Sequence, residues 1–166
     1  MTDILADGLD VVFCGINPGL RAAADGHHFA GRSNRFWRVM HLAGFTPEEL
    51  TPQDGTRILT YGYGLTTAVA RATAGADELA AAEFVDASRE LEDKARRFTP
   101  RYIAFLGKAA IAAIQRKREL AWGLQTTTFG GARVWIVPNP SGRNLAYSLE
   151  QLVSAYRDLR TEIERR

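Results

Sequence analysis

Two asparagines stand in turns rich in glycine and proline. Asn17 lies in Gly15-Ile16-Asn17-Pro18-Gly19, and Asn139 lies in Pro138-Asn139-Pro140-Ser141-Gly142. An amide cannot deprotonate water at neutral pH, but its oxygen can hold a water in line and its nitrogen can donate to a developing oxyanion. That chemistry suits a dissociative transition state, which needs positioning more than a strong base. Either asparagine alone could simply cap or bend its turn. Together on two stiff loops they form the best candidate site. Other chemistries find little support. The first turn lacks the G-x-G-x-x-G spacing of a dinucleotide site, and Leu106-Gly107-Lys108 lacks the upstream glycine of a phosphate loop. Cys14 and the pair His27-His28 do not make a metal cluster, and no G-x-S-x-G elbow is present.

The segments that must position these turns alternate between strand and helix patterns. Leu9 to Cys14 is a short apolar run of strand type that breaks into the first turn. The loop is expected to continue to Ser33, which would cap a helix over 34–43 ending at Gly44. Thr46-Pro47 and Thr51-Pro52, each followed by acids, predict two short helix starts. Tyr63 to Val69 reads as a second strand and 77–98 as an amphipathic helix. Tyr102 to Leu106 is a third strand entering an alanine-rich helix. Thr126 to Phe129 and Val134 to Val137 predict a hairpin around Gly130-Gly131, whose second arm runs into the second turn. Ser148 and Gln151 form a capping box for the last helix. This alternation implies an α/β fold, three layers α/β/α with a mainly parallel central sheet, in one domain over 1–166. Ligands of such sheets bind beyond the carboxyl ends of the strands, where both turns would lie.

Composition narrows the classes further. The chain has 166 residues, 46% of them apolar and 24% charged, and a net charge of +2. These are globular values, and no apolar run is long enough to span a bilayer. No basic leader opens the sequence, and Cys14 has no internal partner, so a buried thiol in a reducing cytoplasm is expected. Arginine outnumbers lysine eighteen to three. Arg21, Arg32, Arg35 and Arg38 crowd one stretch against the single acid Asp25, and would suit either phosphate contacts or a solvated surface.

The segments Val11 to Leu20, Phe29-Ala30 and Asn34-Arg35-Phe36-Trp37 closely resemble the mismatch-specific uracil-DNA glycosylases, the bacterial branch grouping with thymine-DNA glycosylase in the uracil-DNA glycosylase superfamily. The resemblance resumes at Leu106 to Lys108, Trp122-Gly123, Trp135 to Gly142, Ser148 to Glu150 and Ala155 to Arg157, so it covers essentially the whole chain. It implies hydrolysis of the N-glycosidic bond of uracil mispaired with guanine in double-stranded DNA, and of thymine or modified pyrimidines more weakly. The base would be flipped out of the stack, at a cost lowest for a mismatched pair. The products are the free base and an abasic site.

Carried over by position, Asn17 matches the residue that holds the hydrolytic water and Phe29 the aromatic that stacks on the flipped base. Ile16 matches backbone that reads the pyrimidine edge. Asn139 matches a polar residue near base and sugar, where it would stabilise charge on the leaving pyrimidine. Gly142, Arg143, Asn144 and Leu145 match the wedge that enters the duplex. Relatives in this branch usually carry leucine directly after the second motif and arginine two places later; here Arg143 and Leu145 stand in the opposite order, as if they had exchanged jobs. Arg21, Arg32 and Ser141 are expected on the DNA backbone. The resemblance implies a monomer with no metal or organic cofactor. The more active uracil glycosylases carry aspartate where Asn17 stands, so a second carboxylate is of interest: Asp25, or one of Glu83, Asp86, Glu90 and Asp93. Lys94, Lys108 and Lys117 lie outside both motifs, which implies a monofunctional enzyme without a Schiff base. Two rival classes stay open: a module that binds mismatches or abasic sites with little turnover, and a nucleoside-binding α/β protein, whose binding would be insensitive to salt.

Overall fold

The computed structural model describes residues 1–165. Five strands form one sheet in the order β2-β1-β3-β5-β4. They are β1 (Val11–Gly15), β2 (Tyr63–Thr67), β3 (Tyr102–Leu106), β4 (Gly123–Phe129) and β5 (Ala132–Val137). The first three and β5 run parallel, and β4 is an antiparallel edge. Both faces of the central strands are apolar because both are covered. Val11 and Phe13 enter one core with α2 (Phe36–Leu42) and α5 (Leu149–Glu164), while Cys14, Ile103 and Phe105 enter the other with α3 (Ala81–Phe98) and α4 (Ala109–Gln115). The expected three-layer α/β/α arrangement is therefore observed.

Phe13 ties the first turn to its helices. Its ring meets Phe36 edge-on at 5.6 Å and lies parallel to Tyr156 of α5 at 6.4 Å. Tyr156 in turn donates its buried hydroxyl to the carbonyl of Pro138 at 2.9 Å, so α5 also fixes the chain entering the second turn. Packing and one buried hydrogen bond thus set the relation between the two loops.

Four expectations need correction. The stretch after Gly19 contains a short helix, α1 (Leu20–Asp25), closed by Gly26 in the left-handed region. Only Ala22 of it is buried, so it carries no apolar stripe to read. Ser33 does not cap α2; the helix starts at Phe36, and the Asn34 side chain accepts from the Phe36 N–H at 2.9 Å. No helix starts at Thr46, whose hydroxyl donates to the Glu48 carbonyl and closes a turn, whereas Thr51 does cap a 3-10 helix over Pro52–Tyr61. The 77–98 helix begins at Ala81, after a separate 3-10 turn over Ala76–Glu78. Two successive caps divide it: Glu78 accepts from the Gly75 N–H and Glu83 from the Ala80 N–H.

Candidate active site

A crevice of about 960 Å³ opens beyond the carboxyl ends of the parallel strands. Its walls include Ile16 and Asn17, Phe29, Thr73 to Asp77, and Asn139 to Leu145 with the exception of Pro140. The loops after β1 and β2 run side by side. Ala68 and Val69 donate to the carbonyls of Gly15 and Ile16, and Thr73 donates to that of Pro18. Asn17 is thereby held against the second loop.

Its amide orientation follows from its partners. Nδ2 donates to the Arg71 carbonyl and to Thr73 Oγ1, both at 2.8 Å. The carbonyl can only accept. The Thr73 hydroxyl spends its one proton on the Gly75 carbonyl at 2.7 Å, so it also accepts from Asn17. Asn17 Oδ1 is the atom left without a protein partner among the described residues, and it is an acceptor.

Asn139 is the complement. Its Oδ1 accepts the Ser141 N–H at 3.0 Å, and its backbone carbonyl accepts from Asn144 Nδ2 at 2.9 Å. A backbone N–H can only donate, so the amide oxygen is fixed inward and Nδ2 is the free atom, a donor. One crevice therefore carries a fixed amide acceptor and a fixed amide donor. The turn glycine Gly107 packs against Asn139 and Ile16: a Cβ there would lie 3.6 Å from Asn139 Cβ and 3.7 Å from Ile16 Cδ1, and its φ of +90° is one that glycine tolerates.

Phe29 has φ 58°, a left-handed conformation costly for a bulky residue. Phe36 stacks on one face of its ring at 4.1 Å, and the ring edge lies 3.7 Å from a Cβ position at Gly15. The residue is only partly buried and lines the crevice. The backbone beside it is pinned, since Trp37 Nε1 donates to the His28 carbonyl at 3.0 Å.

A model of the uracil DNA glycosylase superfamily matches residues 2–160. The chain belongs to that superfamily. Membership supports a glycosylase, a hydrolase that works on DNA. The fold is also similar to a solution NMR structure of a candidate uracil DNA glycosylase from Methanosarcina acetivorans. The TM-score is 0.62 at 19% identity, covering 96% of this chain and 96% of that one. At that identity the likeness speaks for the fold.

In this superfamily member the loop after Asn139 is organised by one cation. Arg35 donates to the carbonyls of Tyr147 at 2.8 Å, Ser141 at 2.9 Å, Asn144 at 3.1 Å and Pro140 at 3.3 Å. Gly142 abuts Ser33, where a Cβ would come within 2.8 Å of the Ser33 carbonyl. Leu145 projects from the loop and is 91% exposed. Arg143 is exposed and its guanidinium reaches Gly75 beside the Asp77 carboxylate. Ser141 Oγ accepts the Arg143 N–H. Arg21 lines the rim and pairs with Asp25 at 2.8 Å, while Arg32 and Arg38 are exposed. Arg35 differs from these arginines because its donors are taken up by four backbone carbonyls of one loop.

None of the carboxylates singled out from the sequence lines the crevice. Asp25 pairs with Arg21, Glu90 and Asp93 lie outside near Lys94 and Arg96, and Asp86 is exposed. Glu83 caps Ala80 and pairs with Arg71 at 2.8 Å, and these bonds hold its carboxyl down at about 2. Asp77 is the acid in the lining, and it lies in the 3-10 turn Ala76–Glu78 and not at the start of the long helix that the sequence predicts. The His28 ring also belongs to the site. It is buried, lines the crevice and bonds the Thr2 carbonyl through Nε2 at 2.8 Å, so that nitrogen carries the proton. Burial lowers its pKa against the opposing pull of Thr2 and Asp3. No group of three or more metal-ligating side chains occurs among the described residues.

Proposed function

We propose that this chain is a monofunctional, mismatch-directed uracil DNA glycosylase. It would excise uracil, and more slowly thymine or modified pyrimidines, opposite guanine in double-stranded DNA, leaving an abasic site. The observation that carries this reading is the pair of fixed amides: a free acceptor at Asn17 Oδ1 and a free donor at Asn139 Nδ2, in one crevice. As the C1′–N1 bond breaks, its electron pair leaves with the pyrimidine and spreads onto the ring oxygens. Asn139 Nδ2 donates to that developing charge or to the sugar. A water on Asn17 Oδ1 adds its oxygen to C1′ and releases its proton to solvent. Phe29 receives the flipped base on its ring, and Ile16 backbone reads the base edge.

Leu145 is the side chain suited to filling the vacated stack, with Arg143 contacting the opposite guanine and Gly142 giving the loop its close approach. Arg21, Arg32 and Ser141 contact the DNA backbone. Lys94 pairs with Asp3, Lys108 lies over the Trp122 ring and Lys117 is exposed, so no lysine lines the crevice and hydrolysis without strand cleavage is favoured. The reading includes a monomer, one domain over 1–166, working in the cytoplasm without metal or organic cofactor.

The test is single-turnover cleavage of a labelled duplex with one G·U pair, wild type beside Asn17→Ala. An alkali-labile product that the variant forms more slowly by orders of magnitude is the expected result. Tight, salt-sensitive binding with no product from wild type would replace the enzyme by a mismatch-binding module.

A further inference from the structure

We propose that Thr73 is a positioning residue for hydrolysis: its hydroxyl sets which end of the Asn17 amide faces the crevice. The inference rests on the glycosylase reading for its kinetic consequence, though not for its geometry. Thr73 is 4% exposed, and its hydroxyl sits in a directed chain, accepting from Asn17 and donating to Gly75. Its backbone is clamped as well, through the Thr73–Pro18 bond and a parallel bridge to Gly19. The second partner of the Asn17 amide nitrogen, the Arg71 carbonyl, is steadied by the Arg71 side chain, which pairs with Glu83 and donates to the Glu78 carbonyl.

Two acceptors therefore face position 17. They hold an NH2 group and repel an oxygen, so a flipped amide would set its oxygen 2.8 Å from the Arg71 carbonyl. With the nitrogen held there, the lone pairs of Oδ1 are offered to water in one fixed direction. Removing the hydroxyl leaves one amide proton facing a methyl group in a buried position. The side chain would then drift or rotate to recover a partner. Misplacing a reacting group by an ångström costs on the order of a hundredfold in rate, so a partial loss of orientation is worth about ten- to a hundredfold.

The experiment uses the whole chain as wild type, Thr73→Val, Thr73→Ala and Thr73→Ser. Three quantities are read: single-turnover cleavage of a G·U duplex, affinity for the same duplex bearing a 2′-fluorinated, non-hydrolysable deoxyuridine, and the 1H–15N signals of the Asn17 side-chain amide. Thr73→Val and Thr73→Ala should cleave ten- to a hundredfold more slowly, bind within twofold of wild type, and exchange the Asn17 amide protons faster. Thr73→Ser should restore all three. Should the valine variant fail to fold, the smaller alanine variant is judged by the same split. Unchanged cleavage, an equal loss of binding and cleavage, or unaltered Asn17 amide signals would overturn the proposal. A wild type that does not cleave refutes the glycosylase reading instead, and the amide signals still decide whether Thr73 orients Asn17.

Discussion

Arg35→Met removes the guanidinium that gathers the loop after Asn139 while keeping an unbranched stem of similar reach. Two of its bonds are short, to Tyr147 at 2.8 Å and Ser141 at 2.9 Å, and two are longer, to Asn144 and Pro140. A hydrogen bond to a charged group contributes about 1.5–3 kcal/mol when it is made in a folded protein. Arg35 is only partly buried, and carbonyls released at the surface recover water, so the longer bonds are counted as nothing and the shorter ones near the low end. The loss comes to about 2–4 kcal/mol, shared between global stability and order in the loop. If the loop takes 2 kcal/mol of it, affinity for a G·U duplex falls about thirtyfold.

Urea unfolding gives the first share and fluorescence anisotropy with a non-hydrolysable duplex gives the second. Arg35→Lys should behave nearly as the methionine variant, because an ammonium cannot fork across four carbonyls. Since the donors of Arg35 are taken up by backbone carbonyls of one loop, the salt dependence of DNA binding should not change. An exposed arginine such as Arg32 should behave oppositely, lowering the salt slope by roughly one when removed. Unchanged unfolding together with a shallower salt slope for Arg35→Met would refute this reasoning and make Arg35 an ordinary phosphate contact.

Leu145→Ala should leave unfolding within about 0.5 kcal/mol of wild type, because the side chain is 91% exposed, yet slow cleavage in duplex DNA. Cleavage of the same uracil in single-stranded DNA should be spared, and equal losses on both substrates would remove the wedge role. His28 has a pKa below the 6.5 of the unfolded chain, so below that pH the unfolded state binds more protons. Its contribution is fully present above pH 6.5 and is lost as the pH falls toward the lowered folded value. Wild type should therefore lose more stability than His28→Gln between pH 7 and 5 in urea titrations, and parallel profiles would contradict the assignment.

The sheet and its order of strands and helices were legible because buried strands announce themselves as apolar runs ended by Gly and Pro, as at Val11–Gly15 and Tyr102–Leu106. The capping box at Ser148 and Gln151 and the turn at Gly130-Gly131 were legible for local reasons, since the residues that decide them are neighbours. Helix α1 was not, because a helix that buries one alanine has no face. At the site the two asparagines could be found from their turns, but not which atom each would present. That depends on Arg71, Thr73 and Ser141, and the first two lie more than fifty residues from Asn17. For the same reason the role of Arg35 was not legible: its partners are carbonyls over a hundred residues away, and carbonyls leave no trace in a sequence.

Glu83 shows why an amide at position 17 is consistent with its surroundings. This acid is tied to the network through Arg71, yet it is also bonded to the Ala80 N–H, and its carboxyl is held at about 2. At neutral pH it is ionised but fully engaged, and its work is to steady the segment whose carbonyl grips Asn17. That carbonyl would in turn repel a carboxylate at position 17. The local structure therefore favours a group that aims water over one that deprotonates it. On the proposed reading such an enzyme cannot push the water onto C1′ and must wait until the glycosidic bond has largely opened. Its selectivity then comes from how easily a pair opens and how well the departing pyrimidine carries charge, both of which favour uracil opposite guanine over a matched base.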